Sequence, residues 1–125
     1  MDWRWMVVAA AGAIGAMSRY GVTRWLPSDA AAGEFPAATL VVNLVGSLIF
    51  GVVVGLGGQL PEWMRIALLA GVCGAFTTFS TFAYETLALW TSGRVGLAVG
   101  QVLLQVVVAI ALIAVGLWIG RSLGE

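Results

Sequence analysis

The sequence contains no histidine, no lysine and one cysteine, and only 10% of its residues are charged against 61% hydrophobic. Each scarcity excludes something. Without histidine the chain has no side chain that ordinarily titrates near neutral pH. No nucleophile–base pair and no metal-ligand spacing stands out either, so no enzyme is expected. Cys73 has no partner for an internal disulfide and carries no sign of compartment. A formal net charge of zero points to no nucleic acid and no acidic partner. A soluble domain would carry about 25% charged residues. Here the charges leave gaps of 14 residues between Arg4 and Arg19, 27 between Glu34 and Glu62, 19 between Arg65 and Glu85, and 26 between Arg94 and Arg121.

Those gaps are filled with apolar residues, and a helix needs about 20 of them to cross a bilayer. The expected fold is therefore an all-α integral membrane protein. It has four transmembrane helices, at roughly 5–25, 36–57, 62–90 and 95–120, in a single domain spanning 1–125. The first run also has the outline of a signal peptide, but apolar residues resume beyond Arg19 with Tyr20, Val22, Trp25 and Leu26, which suits a span better. Pro36 and Pro61 stand where two spans begin, a position at which a missing N–H costs nothing. Trp3, Trp5, Trp25, Trp63, Trp90 and Trp118 lie near span ends, where tryptophan favours the headgroup level. Small-residue pairs in GAIG (12–15), GVVVG (51–55) and GLWIG (116–120) permit close helix approach, within one subunit or between two.

Orientation in the membrane is normally set by an excess of Lys and Arg on the cytoplasmic side. Arg4, Arg65 and Arg121 fall on one side and Arg19, Arg24 and Arg94 on the other, so there is no excess. Either Arg19 lies too deep to count and the orientation is weakly fixed, or copies insert both ways and pair as an antiparallel dimer.

In the second span Thr39, Asn43, Ser47, Gly51 and Gly55 recur every fourth residue and form one stripe. Such groups act as interhelical glue, or they line a path. Asn43 weighs towards a path, because an amide at depth carries two donors that must find acceptors. No lysine, aspartate or histidine lies inside a span, whereas a proton-coupled pump needs an ionisable residue in its pathway. Neutral donors suit the passive passage of a small anion, which must lose water without being held tightly. Arg19 either snorkels to the interface or lines a vestibule that attracts anions.

The stretch GAFTTFSTF at 74–82 lies at the middle of the long third span. Gly71 and Gly74 weaken a helix there, and Thr77, Thr78 and Thr81 add β-branched strain. The span is therefore expected to kink or break at mid-membrane, and a broken membrane helix exposes carbonyls able to coordinate a monovalent cation. Phe79 and Phe82 share a face, and the positive edges of their rings can meet an anion. Ordinary core phenylalanines on a kinked helix fit the residues equally well.

GAFTTFSTFAYE (74–85) resembles the third-helix signature of the Fluc (CrcB) fluoride-channel family. GAIGAMSRY (12–20) and TLVVNLVGSLIFG (39–51) resemble that family's first- and second-helix motifs, in family order and spacing. The resemblance implies a fluoride-selective channel that passively exports toxic fluoride from the cytoplasm. It implies a multi-pass protein of the cell (inner) membrane, built as an antiparallel, dual-topology homodimer with two pores and a sodium ion at its centre. By motif position, Phe79 and Phe82 are the implied pore phenylalanines, and Asn43 the pore amide. Ser80, Thr81 and Thr39 are nearby hydroxyls, and Arg19 the vestibule arginine. Gly74 and Thr77 are the implied carbonyl ligands of sodium, and Glu85 the acid after the motif. The fourth helix departs from the family: Gln101 and Gln105 stand where the family often has small hydroxyl or aromatic polar residues, and the larger amide side chain is expected to narrow or retune the path. The alternatives are a small proton-coupled multidrug transporter, disfavoured because residues 5–18 hold no acid, and a non-conducting membrane subunit.

Overall fold

A computed structural model describes residues 2–125. Four helical rods run through it: α1 (Trp3–Trp25), α2 (Ala37–Leu56), α3 (Glu62–Thr91) and α4 (Val95–Ser122). Asp2 caps α1 by accepting from the Arg4 amide, and Pro36 and Pro61 stand just before α2 and α3. Gly57 and Gly93, at φ 57° and 81°, supply the turns that end α2 and α3.

Three rods, α2, α3 and α4, are long and apolar enough to cross a membrane. The expected first span is a 23-residue helix but does not reach their apolarity. Its alanines and glycines are weak hydrophobes, and Arg19 and Arg24 dilute it further. Those same small residues let it lie close to α3. A methyl at Gly15 would collide with the Val72 carbonyl oxygen, and one at Gly71 would strike Ala11. On the other side, Gly51 and Gly55 of α2 sit against Ile113, Gly116, Leu117 and Gly120 of α4. The GAIG, GVVVG and GLWIG pairs thus pack helices within one chain. The second half of α3 lies against the first half of α4 and a short turn at Ala30–Ala32.

α3 is irregular along its length. Its hydrogen bonds widen to π-helical turns over Ala67–Cys73, and helix resumes at Gly74–Phe76. Thr77 and Thr78 are extended (φ −79°, ψ 156° and φ −148°, ψ 118°), and Phe79–Thr91 is helical again. Thr78 caps this second segment: its hydroxyl accepts from the Thr81 amide at 3.2 Å. α4 carries its own wide turns at Leu104–Val108.

The interior is built from small side chains, with Leu89, Gln101, Val42 and Pro36 the largest that are fully buried. All six tryptophans and most other large apolar groups face outward. That inverts the soluble pattern and suits lipid or a partner.

Candidate functional site

The two extended threonines release backbone groups that a continuous helix would pair internally, and a buried unpaired backbone group costs as much as a lost hydrogen bond. Asn43 of α2 takes them up. Its Oδ1 accepts from the Thr78 amide at 2.8 Å, and its Nδ2 donates to the Thr78 carbonyl at 3.1 Å. The amide therefore clips both sides of one residue, as a neighbouring strand would. Its remaining N–H donates to Gln105 Oε1 of α4 at 2.6 Å. Ser47, next on the α2 stripe, donates to the Asn43 carbonyl at 2.7 Å.

The Thr78 amide and one more, that of Thr81, are diverted with consequences for their usual partners. In a regular helix the Thr78 and Thr81 amides would close onto the carbonyls of Gly74 and Thr77. Here they go to Asn43 Oδ1 and Thr78 Oγ1 instead. The Gly74 and Thr77 oxygens thereby lose their ordinary helical donors, and Gly74 is exposed. This is the chemistry a weakly held monovalent cation requires. Thr77 itself is pressed on α2, since a methyl at Gly46 would overlap its Cγ2.

Two cavities have Thr78 in their walls. The larger, about 420 Å³, is lined by Asn43, Ser47, Thr77, Thr78, Phe79, Phe82 and Gln105, with apolar residues of α2, α3 and α4. The Phe79 and Phe82 rings stand 5.7 Å apart at 58°, an edge-tilted pair, and Phe79 is 79% exposed. The second cavity, about 330 Å³, is lined by Arg19, Tyr20, Thr23, Thr39, Thr78 and Thr81 together with Ala16 and Val42. The Thr39 hydroxyl donates to Glu85 Oε1 at 2.8 Å, tying α2 to α3 beside it.

The sequence-predicted residues therefore divide. Asn43, Phe79, Phe82, Gly74 and Thr77 line the larger cavity, and Arg19, Thr39 and Thr81 line the second. Ser80 lines neither; it is exposed, with its hydroxyl 3.4 Å from that of Thr78. The two glutamines also separate. Gln105 lines the larger cavity, whereas Gln101 is fully buried and donates to the Thr86 hydroxyl at 2.6 Å, bolting α4 to α3. Thr78, which lines both cavities, is not among the predicted site residues. Its sequence signals are its place among the helix-straining threonines and the capping pattern of a threonine ahead of a fresh helical run.

The chain is also similar to known proteins. A family model described as CrcB-like protein, Camphor Resistance (CrcB), matches residues 6–117. The chain belongs to the CrcB family. It is 40% identical to a protein of Saccharophagus degradans named fluoride-specific ion channel FluC, over 95% of this chain and 90% of that one. A Symbiobacterium thermophilum protein named fluoride-specific ion channel FluC 2 is 40% identical over 93% of each chain. A Thermus thermophilus FluC is 45% identical over 76% of each. CrcB membership and the apolar helices make the chain a multi-pass membrane protein from a family of ion channels, which are not enzymes.

Proposed function

We propose that the chain is a fluoride-selective channel that lets the ion run down its gradient and so exports toxic fluoride from the cytoplasm across the inner membrane. The observation that carries this reading is that Thr78 lines two cavities of complementary character. One is lined by Arg19 and hydroxyls, the other by amides and a tilted phenylalanine pair. Its relatives' names point the same way.

In this reading Arg19 attracts the hydrated anion into the smaller cavity. Thr81, whose hydroxyl accepts from Thr78 and keeps its own proton, stands there as a donor to replace departing water. Thr39 stands beside it, with its proton given to Glu85. Beyond Thr78 the ion meets the Asn43–Gln105 amide pair and the positive ring edges of Phe79 and Phe82. No donor there is a lysine or a histidine, so the ion is stripped of water without being trapped. α3 is then a membrane helix interrupted at mid-membrane, held in shape by the Asn43 clip.

Phe79 is too exposed to enclose an ion by itself. A second, antiparallel copy would cover it and give two pores per dimer, in keeping with the three-against-three arginine distribution. Sodium would be held at the centre by the Gly74 and Thr77 carbonyls of both copies. Two oxygens from one chain are too few to replace a cation's water shell. Bound there, sodium would supply positive charge that fixes the interrupted helices of the two copies against each other.

The test is efflux from liposomes holding the purified protein, read by an ion electrode, with fluoride-loaded and chloride-loaded vesicles compared. Rapid fluoride loss with chloride retained is expected. Retention of both ions by a well-formed protein, or loss of both, would overturn the proposal. Proton-driven export of a drug-like cation would establish the transporter alternative.

A further inference from the structure

Phe82 and Val106 each line two spaces, the 420 Å³ cavity and a separate groove on the outside of the bundle. The groove, about 500 Å³, lies between the second helical segment of α3 and the first half of α4. A hollow of about 190 Å³ shares Thr86, Trp90 and Val102 with it and reaches Ala98, in the first turn of α4. From Phe82 to Trp90 is eight residues, about 12 Å at the helical rise. One leaflet of bilayer hydrocarbon is about 15 Å deep. The groove therefore has the length of one leaflet. Trp90 stands at its headgroup end, and Phe82, just past the interruption at Thr77 and Thr78, at its deep end.

Its walls suit hydrocarbon. The one hydroxyl among them, that of Thr86, donates to the Phe82 carbonyl at 2.8 Å and accepts from Gln101 Nε2 at 2.6 Å. The headgroup end, by contrast, is charged. Arg94 lies one turn ahead of Ala98 on α4, and its stem lies against Gly33, where a methyl would press on Cγ. Among the described residues both ion pairs are made by Arg4, so Arg94 has no carboxylate partner, and neither have Arg19 and Arg24 on the same membrane side. The acids of that side, Asp29 and Glu34, accept from loop amides instead. An arginine left unpaired at headgroup level attracts lipid phosphate.

We propose that this groove is a phospholipid site, with one acyl chain lying between α3 and α4 and the phosphate on Arg94. The end of the chain packs behind Phe82 and Val106, so the lipid braces the outer wall of the 420 Å³ cavity. The site requires only that the chain is embedded in a membrane, and it stands apart from what the cavity passes.

The test uses the full chain purified in detergent and freed of lipid, with dioleoyl phosphatidylglycerol that carries a photoreactive group on one acyl chain. Saturable labelling is expected, mapped by mass spectrometry to Leu87, Val102 and Val106. Val102→Trp fills the groove and is expected to abolish labelling there. Arg94→Gln removes the charge and should raise the half-saturating lipid concentration about fivefold at the same labelled positions. Unmodified phosphatidylglycerol should raise the melting temperature of the parent and leave that of Val102→Trp where it was. Label spread evenly over the outward face of α1 as well would overturn the site and leave only a general lipid coat. Unchanged half-saturation in Arg94→Gln would overturn the phosphate contact. An unlabelled groove in the parent, together with a shift of Val102→Trp to monomer on a sizing column, would mean that a second copy covers this face and the proposal fails. Should Val102→Trp not fold, the parent's labelling pattern and the Arg94→Gln comparison decide.

Discussion

Asn43 makes three hydrogen bonds with one planar amide, and two of them replace a backbone pairing that Thr78 gave up. Asn43→Leu would leave the Thr78 N–H and C=O without partners, each at about 1–3 kcal/mol. We expect a markedly lower melting temperature in detergent, and fluoride efflux lost together with it. Thr78 acts more locally, as the cap of the second helical segment. Thr78→Val should cost about 1 kcal/mol, and Thr78→Ser should restore most of it because the serine hydroxyl caps equally well. Thermal unfolding of the two variants side by side checks this. A loss in Thr78→Ser with none in Thr78→Val would show that the methyl, and not the hydroxyl, matters at this position.

The helices are held to one another by glycine, not by large interlocking side chains. Gly120 of α4 lies against the Val52 carbonyl and the Gly55 backbone of α2, so a methyl there meets main chain that cannot move aside. Gly120→Ala is expected to cost about 1–3 kcal/mol through overpacking, seen as a lower melting temperature. Gly100, also in α4, has open space around it. Gly100→Ala should gain about 0.5–1 kcal/mol from the better helix former. Opposite shifts in one helix would separate packing from propensity. The small-residue pairs were readable in the sequence, but their choice of partner was not. GAIG meets α3 while GVVVG meets GLWIG, an outcome of how the rods cross.

The chain exposes 7453 Å² at 13.0 kDa, whereas a soluble globular monomer of that mass exposes about 6,300 Å². Such a thin bundle, with its large apolar groups outside, needs lipid or a partner to cover it. If sodium joins two copies through the Gly74 and Thr77 carbonyls, replacing it with a bulky organic cation should lower the melting temperature and shift the protein towards monomer on a sizing column. An unchanged profile would remove sodium from the assembly. If the copies insert both ways, a cysteine placed at Ser92 in a Cys73→Ser background should react with a membrane-impermeant reagent in comparable fractions from each side of sealed vesicles. Labelling from one side only would establish a fixed orientation.

Helix number, helix limits and the outward tryptophans were legible along the chain, because apolar length, proline and glycine act on their immediate neighbours. The residues around GAFTTFSTF also announced themselves, since glycine and clustered threonine weaken a helix wherever it lies. The lower apolarity of α1 was the exception: the alanines and glycines that bring it against α3 are the reason it reads poorly as a span. The site's hydrogen bonding lay beyond the sequence. Asn43 finds Thr78 across 35 residues and Gln105 across 62, and no local preference encodes a contact at that separation. Only the crossing of α2, α3 and α4 brings one amide to the two groups that satisfy it, and leaves Gln105 with a buried donor to spare.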